Sequence, residues 1–409
     1  MRSCLSMAIK NNALLKSLLL VWLVLITACS AILRNPVPDD VHLNVSILGR
    51  QDLRFWGDQQ QMGDLPALSA STPETLEQHF GGIMHREHNY LAISGGGADG
   101  AYGAGVLVGW SKLGTRPQFT MVTGVSTGAL TAPFAFLGSD YDQQLKTLYT
   151  SLDSSGIFFR RSIFAILRGD SVADNTPLSK MLNKHITDQL IRAIAHEYNR
   201  GRSLHIATTN LDAGRPVIWN IGRIANTGHP DAGRLIRQIL LASAAIPGIF
   251  PPSYIRVQGP DGRTYDEMHV DGGTSAQMFL YPSNTDWAEV MRIFDVKGTP
   301  TAYLIRNSRI KPNFTPVRAR LADIAGRSVE SLIRTQGIGD IYRIVAVTRR
   351  DGVAVELTAI PPDAPQDPGK EVFDPDYMSA LFDFGYQRTI NDAVWQTIDI
   401  TQLISKREP

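Results

Sequence analysis

An apolar run ends in a cluster of glycines in the stretch Tyr90-Leu-Ala-Ile-Ser-Gly-Gly-Gly-Ala-Asp-Gly100. We interpret Tyr90–Ser94 as a buried strand and Gly100–Leu113, which is rich in small and apolar residues, as a helix packed closely on a sheet. A second apolar run, Phe119–Val125, precedes a second helix-like segment, Thr127–Leu137. This alternation predicts an α/β fold with a parallel sheet and crossover helices.

The composition is that of a globular protein with a large core. Of the 409 residues, 43% are hydrophobic and 19% are charged, and the formal net charge is +1. These values exclude disorder, collagen-like repeats and a multi-span membrane protein. Because no strongly basic region is present, we expect no nucleic acid partner. We find no internal repeat, so one large domain is the simplest division.

The first 28 residues have the features of an export signal. Basic residues precede the apolar run Leu18–Ile26, which is too short to span a bilayer. Ile26-Thr-Ala-Cys29 resembles a bacterial lipobox, which implies a lipid on Cys29 and attachment of the mature chain to a membrane of the cell envelope. Ser30 after it implies the outer membrane. An ordinary signal peptide with an incidental Cys29 is the alternative. Cys4 leaves with the signal, so we expect no disulfide.

The remaining segments give weaker patterns. We expect an irregular lead-in over residues 29–88 and a proline-rich loop over 361–375. The segments Tyr342–Thr348 and Val353–Ala359 flank the turn Arg350-Asp-Gly352, which predicts a β-hairpin. The stretch Gly156–Arg168 fits either a lid at a lipid interface or a core-facing helix with a basic rim. Other predicted helices are Asp188–Tyr198, Ala232–Ala245 and Tyr377–Val394, and other predicted strands are Leu204–Thr209, Val217–Ile221, Met268–Gly273 and Ala302–Arg306.

A candidate nucleophile lies in Gly124-Val-Ser-Thr-Gly128, which has the pattern G-x-S-x-G. The two glycines allow a sharp turn between strand and helix that exposes the hydroxyl of Ser126 at the carboxyl end of a strand. The apolar run before the motif and the helix-like segment after it are the context that such a turn requires. The alternative is a tight turn in which the serine is only structural.

The glycine cluster Gly95–Gly100 also joins a strand to a helix. A dinucleotide fingerprint would need an acidic residue about 20 positions later, and residues 113–122 contain none. We therefore expect no cofactor. Two interpretations of the glycine cluster remain. It forms an oxyanion hole, in which N–H groups stabilise the oxygen that becomes negative during acyl transfer, or it is a turn whose glycines allow close packing. Since one strand–helix–strand unit separates Gly95 from Ser126, we expect both at the same edge of the sheet.

A serine nucleophile also needs a base. His269 is the last histidine of the chain and would form a triad with an earlier acid such as Asp212 or Asp231. Asp271, in Val270-Asp-Gly-Gly273, would instead act directly as the base if a dry site raised its pKa. The structural alternatives are a buried strand histidine and an ordinary Asp-Gly turn.

Taken together, these motifs resemble the patatin-like phospholipase family. The resemblance lies in Gly95–Gly100, Gly124–Gly128, Asp271-Gly-Gly273 and Ala242-Ser-Ala-Ala-Ile-Pro-Gly-Ile-Phe-Pro-Pro252, all within residues 89–275. It implies a three-layer α/β/α fold with a mostly parallel central sheet in a catalytic domain over residues 89–409, which includes a C-terminal extension. It also implies hydrolysis of lipid acyl esters by a Ser–Asp dyad without histidine. Since no His/Asp/Glu cluster in the sequence has the spacing of metal ligands, we expect no metal.

The resemblance assigns a role to each motif residue. Ser126 is the implied nucleophile, Asp271 the base, and the N–H groups of Gly95, Gly96 and Gly97 the oxyanion hole. Asp99 stands where many members have Lys or Arg, which leaves open whether the substrate is a phospholipid or a neutral ester. A catalytically silent lipid-binding or structural lipoprotein is the alternative from another class. The glycines implied to support the turns are Gly100, Gly124, Gly128, Gly272 and Gly273.

Overall fold

The computed structural model describes residues 34–59, 69–150, 159–160, 173–283, 285–311, 314, 316–369, 373–391 and 394–398. The predicted export signal, Cys29 and nearly all of the stretch Gly156–Arg168 lie outside the described residues. No helix within these ranges is both long enough and apolar enough to cross a membrane.

A ten-stranded sheet forms the centre of the molecule, and a second sheet has two strands. The strands are β1 (Arg54–Trp56), β2 (Asn89–Ile93), β3 (Met121–Val125), β4 (Phe159–Arg160), β5 (Ala173–Asp174), β6 (Ser203–Asn210), β7 (Arg215–Asn220), β8 (Ser253–Gln258), β9 (Thr264–Asp271), β10 (Thr301–Arg309), β11 (Ala354–Ile360) and β12 (Gln396–Thr397). The large sheet has the order β1-β7-β6-β3-β2-β10-β11-β12, with β9 also paired to β6 and β8 to β9. Its central strands β6, β3, β2, β10 and β11 are parallel, as predicted.

Helices cover both faces of this sheet. They are α1 (Pro73–Phe80), α2 (Gly100–Lys112), α3 (Thr127–Leu137), α4 (Asp142–Thr150), α5 (Thr176–His185), α6 (Asp188–Tyr198), α7 (Ile221–Ala225), α8 (Ala232–Ser243), α9 (Trp287–Ile293), α10 (Leu321–Arg350) and α11 (Pro375–Asn391). On β2, Leu91 and Ile93 pack against the side that carries α2 to α8 and α11, whereas Tyr90 and Ala92 face α9 and α10. The three-layer α/β/α architecture is thereby confirmed.

The predicted hairpin is wrong. Tyr342–Thr348 belongs to the 30-residue helix α10, and only the second segment is a strand, β11. Ile341, Ile344 and Val345 are buried at helical spacing against the sheet, so packing overrides the local preference of a β-branched run. Gly352 does adopt a positive φ of 70°, but its turn joins a helix to a strand.

The lead-in is less irregular than expected. It contributes β1, which pairs with β7 at one edge of the sheet, and the helix α1. β1 supplies Trp56 to the main core. A three-residue strand and a short helix give too few periods of apolar residues to be recognised in the sequence.

The strand β10 lies beyond the recognised motifs but in the middle of the sheet. It pairs in parallel with β2, from Thr301 opposite Asn89 to Ile305 opposite Ile93. On the other side of β2, Ile93 is opposite Gly124 of β3. The carboxyl ends of these three strands therefore meet at one edge of the sheet, where the glycine cluster and Ser126 lie together.

Candidate active site

Ser126 occupies a sharp turn between β3 and α3. Its φ and ψ are 54° and −124°, a conformation that non-glycine residues rarely adopt and that is typical of a nucleophile at a strand–helix turn. A Cβ on Gly124 would lie 2.5 Å from the carbonyl oxygen of Gly128, and one on Gly128 would lie 2.3 Å from that of Ile93. Both motif glycines are therefore required by close backbone approach.

The block Ala242–Pro252 accepts hydrogen bonds from the backbone of Ser126 and of Asp271. The N–H of Ser126 donates to Ser243 Oγ at 3.0 Å, and the N–H of Asp271 donates to the carbonyl of Ala245 at 2.9 Å. Ser243 in turn donates to the carbonyl of Ala207 at 2.7 Å. The sequence indicated that this block matters but gave no role for Ser243.

Asp271 ends β9 and is buried beside Ser126. Burial raises the pKa of its carboxyl to about 7, while hydrogen bonds from the Ser126 side chain and the Gly273 N–H act in the opposite direction. The Gly273 bond is 2.7 Å long. A carboxyl with this pKa next to a serine hydroxyl is able to accept a proton and return it near neutral pH.

The glycine cluster provides two unpaired N–H groups. Gly97 has a φ of 58° and opens the turn that leads into α2. Within the ranges that the structure describes, the N–H groups of Gly96 and Gly97 have no hydrogen-bond acceptor, and both residues line the same cleft as Ser126. The N–H of Gly95 instead donates to the carbonyl of Gln277 at 3.2 Å. The N–H groups of Gly96 and Gly97 are therefore available to an oxyanion in the described structure, whereas that of Gly95 is already bonded.

Two residues outside the recognised motifs hold this loop. Asn307, just past the part of β10 that pairs with β2, donates from Nδ2 to the carbonyl of Ser94 at 3.0 Å and accepts from the Gly103 N–H at 3.1 Å. Gln277 donates from Nε2 to the carbonyl of Gly273 at 2.8 Å, and its own carbonyl accepts from the Gly95 N–H, so it links the turn after Asp271 to the glycine cluster. Neither residue lies in a pattern that would single it out from sequence.

The remaining supporting glycines lie in the turns next to these groups. Gly100 is the first residue of α2, and a Cβ on it would lie 2.2 Å from Thr127 Oγ1. Gly272 and Gly273 form the short turn that follows Asp271. All five supporting glycines are thus placed around the carboxyl-terminal edge of β2, β3 and β9.

His269 is not part of this arrangement. It is fully buried, with Nδ1 hydrogen-bonded to Thr208 Oγ1 at 2.9 Å and Nε2 to Glu267 at 3.0 Å. Asp212 and Asp231 are paired with arginines instead. Among the described residues, no histidine lines either cavity that contains the nucleophile candidate. The geometry therefore favours Asp271 over the triad.

Two cavities meet at Ser126. A cleft of about 710 Å³ contains Ser126, Asp271 and the glycine cluster. A narrower pocket shares Ser126 and Gly97 with it and is almost entirely apolar, which suits an acyl chain. The apolar side chains of this pocket include Leu130, Leu148, Leu178, Met181, Phe250 and Met378.

Asp99 lines the cleft and is bonded there to the helix α11. The hydroxyl of Tyr377 donates to its Oδ1 at 2.5 Å. Burial raises the pKa of Asp99 to about 6, partly opposed by Tyr377 and by the charge of Arg309. An acid in this environment does not supply the cation that many relatives carry at this position.

Cations reach the cleft from β10 and α10 instead. The cleft is lined by Arg306, Arg309, Lys311 and Arg334. Arg306 is only 2% exposed, burial lowers its pKa to about 10, and in the described part of the chain its Nε has no hydrogen-bond partner. The wall that β10 and α10 form therefore carries four basic residues and one acidic residue, Glu330.

One family model and several solved structures are similar to this chain. A search of curated proteins found no match. Among solved structures, the chain is similar to VipD from Legionella pneumophila, with 16% identity and a TM-score of 0.35 over 76% of this chain and 68% of VipD. It is also similar to the type III effector protein ExoU, with 13% identity and a TM-score of 0.25 over 79% of this chain and 57% of ExoU. The family model described as patatin-like phospholipase matches residues 91–282, the part of the chain that runs from β2 through β9 and holds the glycine cluster, Ser126 and Asp271.

Proposed function

We propose that the chain is a serine hydrolase that cleaves lipid acyl esters with Ser126 as nucleophile and Asp271 as general base. The match to the patatin-like phospholipase model supports lipid acyl hydrolysis as the general activity. The observation that carries the finer assignment is the pairing of Ser126, at a strained turn, with a buried Asp271 whose pKa is about 7.

The reaction takes place in two steps. Ser126 Oγ attacks the ester carbonyl carbon while its proton passes to Asp271, and the N–H groups of Gly96 and Gly97 stabilise the oxyanion. Asp271 then protonates the leaving alcohol, which gives an acyl-enzyme. In the second step Asp271 takes a proton from water as that water attacks the acyl carbon. The carboxylic acid leaves, and the proton returns to Ser126.

The two cavities support a lipid substrate with an acidic headgroup. The apolar pocket beside Ser126 takes the acyl chain, and the positively charged wall with Arg306 faces the cleft in which the rest of the substrate lies. A phosphate group there would form charge-assisted hydrogen bonds with the Arg306 guanidinium, which forms no ion pair within the described part of the chain. This supports a phospholipase A-type activity over hydrolysis of neutral esters, despite Asp99.

We also propose that the mature chain is anchored at the outer membrane through a lipid on Cys29. The support is the sequence Ile26-Thr-Ala-Cys29 after a short apolar run. Metabolic labelling with a clickable palmitate should label the wild-type chain and not Cys29→Ala, and fractionation should place the labelled chain in the outer membrane. Equal labelling of both chains would contradict the anchor.

The test of the catalytic assignment is fluorophosphonate labelling read by intact mass. The wild-type chain should gain one adduct, Ser126→Ala none, and Asp271→Asn one that forms far more slowly, with circular dichroism confirming that each variant is folded. His269→Ala is the control and should label like the wild type if folded. Loss of labelling there, with normal labelling of Asp271→Asn, would support the triad. A folded wild-type chain that binds lipid without labelling would support the silent lipoprotein.

A further inference from the structure

Exposed apolar side chains are concentrated in one segment. Of the eleven large apolar side chains that are exposed in the described ranges, seven lie between residues 314 and 333. Phe314 is 95% exposed and Leu321 is 86% exposed. Soluble surfaces rarely gather apolar groups in this way, so the segment is a candidate interaction surface. We call it the apolar strip, which consists of Phe314, Val317, Leu321, Ile324, Val329, Leu332 and Ile333.

Five of the seven strip residues lie on the first half of α10, and Phe314 and Val317 come just before it. The second half of α10 is anchored in the core by Ile341, Ile344 and Val345. The first half, from Leu321 to Ile333, has mostly exposed residues on all sides. An anchored helix that extends with its apolar side chains uncovered presents them to a partner.

The strip is continuous with the cleft. Val329, Leu332 and Ile333 line the same 710 Å³ cleft as Ser126. The apolar surface therefore runs from the mouth of the cleft outward along α10 to Leu321. Whatever covers the strip also covers the entrance to the site.

The charge around the strip is positive. Residues 311–334 contain five basic and two acidic residues, a net charge of +3, whereas the whole chain has +1. Asp323 and Glu330 are paired with Arg318 and Arg327. In the described part of the chain, the other three basic residues of this segment, Lys311, Arg320 and Arg334, have no acidic partner.

We propose that the apolar strip docks on a lipid surface with anionic headgroups and sets the mouth of the cleft on that surface. Apolar side chains enter the region between headgroups and acyl chains, while the basic residues contact anionic lipids. The proposal rests on the lipid substrate proposed above, because a lipid could then enter the cleft without crossing water. The helix would lie on the bilayer and not across it.

The contact is tested by placing a photoreactive benzoylphenylalanine at position 321 of the full chain. The matched control position is 113, because Leu113 is also exposed and follows α2 at the end remote from the glycine cluster, about 20 Å away. The probe surface is a vesicle of ether-linked phosphatidylglycerol and phosphatidylcholine, whose chains cannot be hydrolysed. A lipid adduct at position 321 and not at 113 is expected. Any of three results would overturn the proposal: equal lipid adducts at positions 321 and 113, no lipid adduct at position 321, or a crosslink from position 321 to a second copy of the chain.

A kinetic test separates docking from catalysis. In the full chain, Phe314→Ser/Leu321→Ser should lower turnover of phosphatidylglycerol vesicles about tenfold or more, since two exposed apolar groups are lost. Hydrolysis of soluble p-nitrophenyl butyrate should not change, because neither residue lines the cleft. The control is Leu43→Ser/Leu113→Ser, which likewise removes two exposed apolar side chains and should leave both rates unchanged. Unchanged vesicle turnover in the first variant would overturn the proposal. If the wild-type chain cleaved neither substrate, the proposed function would fail, and the photocrosslink would still decide docking.

Discussion

Replacement of Asp271 with asparagine should abolish activity and make the fold more stable at neutral pH. Burial raises the pKa of this carboxyl from 3.8 to about 7. In the described structure, the groups that favour its charged form are the Ser126 side chain and the Gly273 N–H, both of which are neutral. The ionised Asp271 carboxylate that catalysis needs therefore lowers the unfolding free energy of the chain.

The size of the effect follows from the pKa. A rise of about three units corresponds to about 4 kcal/mol of unfolding free energy, at about 1.4 kcal/mol per unit. Below pH 3.8 the carboxyl of Asp271 is protonated in both the folded and the unfolded chain, so it does not change the unfolding free energy. Between pH 3.8 and about 7 only the folded chain keeps the proton, so stability falls as the pH rises, and above about 7 the full loss is present.

The Asp271→Asn variant lacks this loss and keeps an oxygen to accept the Gly273 N–H. Its gain in unfolding free energy over the wild type should be about 2 to 3 kcal/mol larger at pH 8 than at pH 5, measured by urea unfolding at both values. Glu267→Gln is the control, because it should lower the unfolding free energy where Asp271→Asn raises it. Burial acts to raise the pKa of Glu267, but Arg54 and His269 hold it at about 2, so this carboxylate stabilises the fold above pH 4.5. An Asp271→Asn gain that does not change with pH, or a loss at pH 8, would refute the reasoning.

Three further outcomes are expected. For a soluble ester, kcat/KM should rise with pH through an apparent pKa of about 7, because ionised Asp271 is the base, and a flat profile from pH 5 to 9 would contradict this assignment. Gly128→Ala should lower the unfolding free energy by about 3 kcal/mol, since its Cβ would lie 2.3 Å from the Ile93 carbonyl oxygen, whereas Gly326→Ala, in open space on α10, should raise it by up to about 1 kcal/mol in urea unfolding. Arg306→Met should lower kcat/KM for phosphatidylglycerol about tenfold relative to diacylglycerol, and an unchanged ratio would show that this cation does not contact the headgroup.

The part of the fold around the nucleophile could be predicted because its signals are local. A buried strand that ends in glycines and then gives way to a helix is recognisable twice in succession, and the structure has β2, α2, β3 and α3 within one or two residues of the predicted bounds. Asp271 was identifiable for the same reason, since an apolar run ends at Asp-Gly-Gly. Because a serine nucleophile needs a base, the candidates for that base were Asp271 and His269.

The rest of the site depends on contacts between distant parts of the chain, which leave no local pattern. Asn307 contacts the start of the glycine cluster through its side-chain amide and Gln277 through its backbone carbonyl, and neither residue has a motif around it. The hydrogen bond from the Gly95 N–H to the Gln277 carbonyl, which occupies one of the three expected oxyanion donors, also has no local signal. The helix over Tyr342–Thr348 was missed because β-branched residues favour a strand locally, while the buried face is determined by the sheet that they pack on.

The position of β10 bears on when the enzyme can first become active. Asn307 donates its backbone N–H to Ser94 Oγ across 213 residues of sequence, and β10 is the strand that completes the second side of β2. Until the polypeptide has been made past residue 307, the loop that would hold the oxyanion lacks its support and β2 has one unpaired edge. A nascent chain is thus without the completed candidate site until three quarters of its sequence have been made.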